Sequence, residues 1–238
     1  MVLPFYLALT AAEFAFCSRL PEKTAWMACH FSSYGTGLSN LPPQLPENAM
    51  VILNDRTPIH GHDPKQILCQ LKEVNPHRLL LDFQRQAVDE TKALTSFLVE
   101  SMDCPVGVSH FYAQGLDCPV FLPPVPADVP IEDYFAPWKG REIWLEVSCE
   151  GVTYTVTDKG STATPLLHAP EEGIEDAQLF CHYKMETYEN RAQFHLYRTP
   201  EDLLRLLENV KSHGVTTAVG LYQELSVNPI LHKKKPPC

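Results

Sequence analysis

Short apolar runs of strand length recur along the chain, and helical patterns lie between several of them. The runs at 50–54 and 78–83 are almost continuously apolar, which is typical of parallel strands buried on both faces. Other runs lie at 3–10, 24–31, 105–109, 119–122, 142–147, 179–185, 192–197 and 216–222. Strand, helix and strand alternate most clearly around 50–83 and around 192–222, and right-handed crossovers of this kind give a parallel sheet.

Three helical segments carry clear local signals. Asp63 supplies a capping carboxylate, and the proline after it suits the first helical position. Thr199 and Asp202 have the spacing of a capping box, and Gly214 suits the position just after the helix. A third pattern covers about 89–101, with its leucines and phenylalanine on one side.

This alternation predicts an α/β fold, namely a TIM-barrel-like (β/α)8 domain with irregular or missing helices and an inserted β-hairpin. About eight strands can be counted, and no G-x-G-x-x-G follows the first, which favours a barrel over a dinucleotide-binding sheet. We expect one domain over residues 1–238. A Pro-rich loop and the hairpin, turning near 149–151, are predicted within about 117–165, and 226–238 is predicted to be a tail.

Composition and charge narrow the functional classes. The formal net charge is −10 and no basic stripe is present, so nucleic-acid binding is disfavoured. No run of about 18 apolar residues occurs, so we expect no membrane-spanning helix. Glu13 interrupts the apolar N-terminus, which fits a strand and a helix better than a signal peptide. None of the eight cysteines form a C-x-x-C pair and most lie in apolar runs, so we expect a cytoplasmic protein.

The strongest candidate chemistry lies at the end of the fourth predicted strand, in the segment HRLLLDFQR at 77–85. Alternation places Asp82 and Gln84 on one side of this strand, facing the barrel mouth. Here the sequence resembles the family 18 glycoside hydrolases, the chitinase-like barrels, whose fourth strand ends in D-x-x-D-x-D-x-E. With Gln84 set on the final Glu, Asp82 matches the preceding Asp, while Leu80 and His77 fall on the family's other acids.

Two further segments are similar to the same family. The segment LFCHYKME resembles a later family strand that carries a substrate-side Tyr, here Tyr183. Residues 198–225 are similar to the last helix and strand, which end in an aromatic residue, here Tyr222, where the family usually has Trp. The resemblance implies a glycan ligand that Asp82 stabilises or orients and that Gln84, Tyr183 and Tyr222 contact.

Gln84 departs from the family pattern. In the family the Glu is the general acid that protonates the leaving oxygen, and an amide has no proton to give at a useful pKa. Hydrolysis would therefore need another acid. Glu146 is the best replacement because it ends a predicted strand, and Glu13, Glu186 and Glu224 are further candidates.

A second polar constellation follows the third predicted strand. We expect Asn54, Asp55 and Arg56 to contribute to a sugar- or anion-binding mouth. His60 and His62 form a His-x-His pair, which can hold a divalent metal at a strand end, but no further ligand stands at a diagnostic spacing. We therefore expect no metal and no cofactor.

Three functions stay open from the sequence. The first is a glycoside-hydrolase-like protein that acts on or binds a glycan at the C-terminal mouth of the barrel, with Asp82 and Glu146 as catalytic candidates. The second is a non-catalytic barrel that binds a carbohydrate or another small polar ligand. The third is a metal-dependent hydrolase that uses His60 and His62. The loop at 30–40, rich in glycine and hydroxyl groups, suits ligand contact in each case.

Overall fold

The computed structural model describes residues 3–17, 20–42, 44–86, 88–149, 151–166 and 168–225. The chain divides into two compact units. The barrel unit comprises Met1–Pro123, Gly140–Glu146 and Val215–Tyr222, and the second unit comprises Pro124–Lys139, Val147–Gly214 and Gln223–Cys238. The prediction of one domain over the whole chain does not distinguish these units, and the predicted tail at 226–238 lies outside the described residues.

The elements follow the predicted alternation as far as residue 147. They are β1 (Phe5–Leu9), α1 (Ala11–Phe16), β2 (Thr24–Phe31), β3 (Leu38–Ser39), β4 (Met50–Asn54), α2 (Pro64–Val74), β5 (Arg78–Asp82), α3 (Asp89–Ser101), β6 (Val106–Ser109), β7 (Val120–Leu122), α4 (Ile131–Phe135), a 3-10 turn (Ala136–Trp138) and β8 (Ile143–Val147). The remainder are β9 (Gly151–Thr157), β10 (Gly160–Leu166), β11 (Ile174–Asp176), β12 (Cys181–Tyr188), β13 (Arg191–Tyr197), α5 (Pro200–Asn209), a second 3-10 turn (Val210–His213), β14 (Val215–Leu221) and α6 (Tyr222–Leu225).

Eight parallel strands close into a barrel. Their order is β1-β14-β8-β7-β6-β5-β4-β2, and β1 also pairs with β2, which completes the ring. The short β3 pairs antiparallel with β2. Within the described residues, no helix lies between β2 and β4 or between β6 and β7. The TIM-barrel-like fold with missing helices is therefore confirmed.

The predicted helix signals are confirmed in their local geometry. The Asp63 side chain accepts a hydrogen bond from Lys65 N at 3.0 Å at the start of α2. Thr199 and Asp202 form the reciprocal bonds of a capping box at the start of α5. Gly214 takes a φ of 88°, which a residue with a side chain rarely adopts. None of the helices that the structure describes is long and apolar enough for a membrane crossing.

The second unit contains a five-stranded antiparallel sheet that was not predicted. Its strand order is β10-β9-β13-β12-β11. The runs at 179–185 and 192–197 were expected to be barrel strands, and this prediction was wrong, because they form β12 and β13 of this sheet. The helix expected after the second run is present as α5. Polar and apolar residues alternate along both strands, as in a sheet whose two faces differ.

The predicted hairpin is present, but its position differs from the prediction. The strand at 142–147 was expected to be one arm of the hairpin, whereas β8 is the seventh barrel strand and its residues 143–145 are all buried. The hairpin consists of β9 and β10, which pair from Gly151 with Leu166 to Thr157 with Gly160. The Pro-rich region also holds β7 and α4, so it is not one extended loop.

The barrel interior depends on one close contact. Trp144 of β8 is fully buried in a cluster with residues of β1, β2, β4, β5, β7 and β14. The close contact is between Gly107 of β6 and Trp144, because a Cβ added at Gly107 would lie 2.2 Å from Trp144 Cε3. Real Cβ atoms essentially never approach another heavy atom that closely, so the indole occupies the space that a side chain at position 107 would need.

We expect Gly107→Ala to lower the free energy of unfolding by about 1–3 kcal/mol, because the added methyl group overpacks the indole. Urea unfolding followed by tryptophan fluorescence would measure the change. Gly35→Ala is the matched control, since the nearest atom to its added Cβ would be Ser32 Oγ at 3.7 Å. Equal stability of the two variants would contradict this account of the interior.

Candidate functional site

A cleft of about 620 Å³ lies at the C-terminal ends of the barrel strands. Its floor consists of apolar side chains that also belong to the buried core, namely Ala8, Ile52, Leu80, Phe121 and Val219. Its walls carry polar residues from the ends of several strands and the loops after them, namely Thr10, His30, Asn40, Asn54, Arg56, Asp82 and Glu146. Because TIM barrels carry their functional groups at this end, the cleft is the candidate site.

The two residues predicted to be catalytic line the same cleft. Asp82 ends β5 on the strand face that Leu80 presents to the core, and Glu146 shares the face of Trp144 in β8. The strands β5 and β8 are three places apart around the barrel. The two carboxyl groups therefore enter the cleft from different sides, and their catalytic role stays a prediction.

Asp82 is a carboxyl group held in an unfavourable place for a charge. Burial raises its pKa above the ordinary value, and the negative charge of Asp55 raises it further. A hydrogen bond from the Gln84 side-chain amide to Asp82 Oδ1 acts in the opposite direction but does not cancel the rise. Asp82 therefore keeps its proton to a higher pH than an exposed aspartate does.

The backbone after β5 is fixed by Asp55. Its two carboxylate oxygens accept hydrogen bonds from Gln84 N at 3.1 Å and from Arg85 N at 2.8 Å. In return, Arg85 Nε donates to the carbonyl oxygen of Asp55 at 2.7 Å. Since the Asp55 side chain is buried and occupied in this way, it positions the loop that carries Gln84.

Two residues that follow β5 along the chain hold the same loop. Ser109 Oγ, at the end of β6, donates to the Phe83 carbonyl at 2.7 Å. Tyr112 OH donates to the Arg85 carbonyl at 3.0 Å. Both side chains are buried, and the Tyr112 ring packs edge-on against Phe83. The loop after the fourth barrel strand is therefore rigidly supported before any ligand arrives.

Asn54 has a structural task as well. Its side-chain amide donates to Met27 O at 3.1 Å and to Cys29 O at 2.9 Å, where β2 is irregular, and its side-chain oxygen accepts from Arg56 N. The substrate-binding role predicted for Asn54 and Asp55 stays a prediction, but the side chains of both have backbone partners.

The irregularity in β2 explains why sequence reasoning missed His30. The register between β2 and β4 shifts between Trp26 and Cys29, so both Met27 and Ala28 line the cleft. After the shift, even-numbered residues face inward, which brings His30 into the cleft wall. Strict alternation along the strand does not find such a residue, and the hydrogen bonds from Asn54 on the neighbouring strand β4 cannot be read from the sequence of β2.

A second concavity of about 370 Å³ adjoins the cleft. It is lined by Asn54, Asp55, Arg56, Asp82, Gln84 and Arg85, and three of these (Asn54, Arg56 and Asp82) also line the cleft. We call it the arginine depression. Gln84 and both arginines are exposed there, so the depression is open to solvent.

The two predicted tyrosine contacts lie elsewhere. Tyr183 is on β12, in the antiparallel sheet of the second unit, so the expectation that its segment is a barrel strand was wrong. Tyr222 begins α6 directly after the last barrel strand, and its hydroxyl accepts a hydrogen bond from Cys17 Sγ at 3.9 Å. Neither residue belongs to the lining of the cleft, and their ligand contacts stay predictions.

The other candidate acids each have a local partner. Glu13 completes the capping box of α1 with Thr10. Glu186 accepts a hydrogen bond from the Tyr188 hydroxyl at 2.7 Å, on β12 of the second unit. Glu224 accepts from Ser148 Oγ at 2.7 Å. Of the acids that the sequence offered as replacements, only Glu146 is in the lining of the cleft.

The ring nitrogens of His62, in the His-x-His pair, are hydrogen-bonded to backbone groups. His62 Nδ1 accepts from His60 N at 3.0 Å, and His62 Nε2 lies 3.0 Å from Ser32 O, which places the ring proton on Nε2. With both ring nitrogens engaged, His62 has no lone pair left for a metal. In the part of the chain that the structure describes, no group of three or more His, Cys, Asp or Glu side chains is arranged to hold a metal ion.

The fold is shared with known proteins, although the sequence is not. No protein-family model matches the chain, and no curated protein matches its sequence. A glycoside hydrolase family 18 N-acetylglucosaminidase from Paenibacillus barengoltzii superposes with a TM-score of 0.63 at 8% identity, over 97% of this chain and 98% of that one.

Two plant proteins give similar results. The chitinase-like agglutinin RobpsCRA from Robinia pseudoacacia has a TM-score of 0.61 at 11% identity, over 95% of this chain and 96% of its own. A class V chitinase from Nicotiana tobaccum, a Glu-to-Gln mutant in complex with NAG4, has a TM-score of 0.60 at 8% identity, over 92% and 93% of the two chains. The chain therefore has the barrel fold of the chitinase-like family 18 proteins, with a strongly divergent sequence.

Proposed function

We propose that the protein binds a glycan in the cleft at the barrel mouth. The observation that carries this proposal is the combination of an apolar floor with polar walls in one cleft of about 620 Å³. Sugar rings present apolar C–H faces and polar hydroxyl edges, so they match a site with both kinds of surface. The cleft has the volume of a typical small-ligand site.

The structural neighbours support a glycan over other small ligands. One neighbour contains NAG4, and another is described as an agglutinin. Both share the fold over more than nine-tenths of this chain. Because one fold hosts many functions, this support is an analogy, and the proposal depends on the cleft itself.

Binding without cleavage is favoured by the residue at position 84. Gln84 stands where the resemblance to the family places the general acid, and its amide cannot protonate a leaving oxygen. Its Nε2 instead donates a hydrogen bond to Asp82 Oδ1. The two side chains thus form a fixed polar pair at the edge of the cleft, which suits recognition of sugar hydroxyl groups.

We expect Asp82→Ala to weaken binding of an N-acetylglucosamine tetramer by about tenfold or more, because it removes a hydrogen-bonding group from the cleft and leaves the Gln84 amide unpaired. Isothermal titration calorimetry would measure the affinity. Asp103→Ala is the matched control, since Asp103 lies by another cavity and its ion pair with Lys72 is exposed. Unchanged binding by Asp82→Ala would contradict the proposal.

The cost of burying Asp82 gives an independent test of its role. Its pKa is raised in the folded state, so the folded protein is penalised once the pH rises through that pKa and the group becomes charged. We expect Asp82→Asn to raise the free energy of unfolding at pH 7 and to have little effect near pH 3, where the carboxyl group is protonated in both states. Urea unfolding at the two pH values would show this, and a stability gain of equal size at both would contradict it.

Hydrolysis is the second candidate function, because Asp82 and Glu146 both line the cleft. A carboxyl group with a raised pKa can act as a general acid, and a second carboxylate can assist from another side.

If this pair is catalytic, Asp82→Asn and Glu146→Gln each lower kcat by at least about 10²-fold. The rate also falls as the pH rises through the raised pKa of Asp82, since the acid must be protonated. Release of a fluorogenic leaving group from a glycoside substrate measures kcat and its dependence on pH.

The control for the hydrolysis test is Glu100→Gln, which changes an exposed glutamate on α3 outside the cleft. Activity that survives both cleft substitutions would exclude this mechanism. Absence of activity in the wild type, together with binding of the tetramer, would leave glycan binding as the function.

A further inference from the structure

Arg56 is an exposed cation whose backbone is fixed while its side chain is unused. Its N–H donates to the Asn54 side-chain oxygen at 3.1 Å, and its carbonyl accepts from Arg85 Nη2 at 2.7 Å. No acid in the described residues forms an ion pair with Arg56, and no hydrogen bond from its guanidinium is present there. The residue is therefore held in place with its five N–H groups available to a ligand.

The exposed groups of the arginine depression are cationic or neutral. Arg56, Arg85 and Gln84 are exposed, whereas Asp55 is buried and Asp82 is half-buried. The Asp55 carboxylate is already bonded to the two backbone N–H groups of the next loop.

The depression adjoins the cleft, because Asn54, Arg56 and Asp82 line both. A sugar ring bound in the cleft would therefore lie next to Arg56. A substituent on that ring would reach the depression without leaving the cleft. Arg56 is thus at the boundary between the cleft, which would hold the sugar ring, and the arginine depression, which would hold a charged substituent.

Building on the proposed glycan site, we propose that the bound glycan carries a carboxylate, such as that of a uronic acid, and that Arg56 binds it. A guanidinium presents parallel N–H groups that match the two oxygens of a carboxylate, and such bonds are about twice as strong as neutral ones. Arg85 adds a second positive charge, although two of its own N–H groups are occupied by the Asp55 and Arg56 carbonyls. Arg56 is in this way a specificity-determining residue.

The test compares two probes that differ only in charge. One is a tetrasaccharide of alternating glucuronic acid and N-acetylglucosamine, and the other is the same tetrasaccharide with its carboxyl groups reduced to hydroxymethyl groups. We expect the full-length protein to bind the charged probe about 10- to 100-fold more tightly. Arg56→Gln should abolish this preference. Arg56→Lys should keep only part of it, because lysine has the charge without the planar fork.

The control variant is Lys65→Gln, which removes one positive charge from an exposed position that lines neither the cleft nor the depression. Equal loss of the preference in Lys65→Gln and Arg56→Gln would overturn the inference in favour of general charge attraction. Equal binding of the two probes, or tighter binding of a sulfated tetrasaccharide, would also overturn it. If neither probe binds while the N-acetylglucosamine tetramer does, the inference fails and the proposed function stands; if none of the three binds, both fail.

Discussion

Closing eight parallel strands into a ring creates an interior that side chains must fill, and the rest of the site depends on how it is filled. Trp144 occupies the space beside Gly107, where no side chain could fit. Smaller apolar residues of the same cluster, including Ile52 and Leu80, belong both to the core and to the cleft floor. The cleft begins where the packing of the barrel ends, so its depth follows from the core.

The polar residues above this floor are mostly occupied in fixing backbone. Asn54 bonds the irregular part of β2, and Asp55 bonds the loop after β5. Asn54 and Asp55 are consecutive residues at the end of β4, and β2 and β5 are the two strands that pair with β4. The end of β4 thus holds both of its neighbouring strands. A mouth supported in this way needs little rearrangement when a ligand binds, which favours affinity by reducing the entropy lost. The side chains that stay available, above all Arg56, are therefore the ones that distinguish ligands.

Much of the barrel could be predicted because its strands are nearly continuous apolar runs and its helices begin with capping residues, as at Asp63 and Thr199. The same reasoning located Asp82 and Glu146 at strand ends, and both line the cleft. It failed at Tyr183, because an apolar run does not reveal whether its partner is parallel or antiparallel; the alternation of polar and apolar residues in β12 was the available signal. It also missed His30, because a register shift is set by hydrogen bonds from another strand.

The separation of charges at the mouth explains why Asp82 and Arg56 line one cleft without forming an ion pair. A bridge between them would lower the pKa of Asp82 and occupy the guanidinium, so neither group would be left for a ligand. Instead Asp82 takes its hydrogen bond from the neutral amide of Gln84, which satisfies one oxygen without supplying a countercharge. The pKa of Asp82 therefore stays above its ordinary value, and this carboxyl group leaves the guanidinium of Arg56 to a ligand. Because the Gln84 amide is neutral, it bonds Asp82 without adding a further acid that could compete for the guanidinium of Arg56.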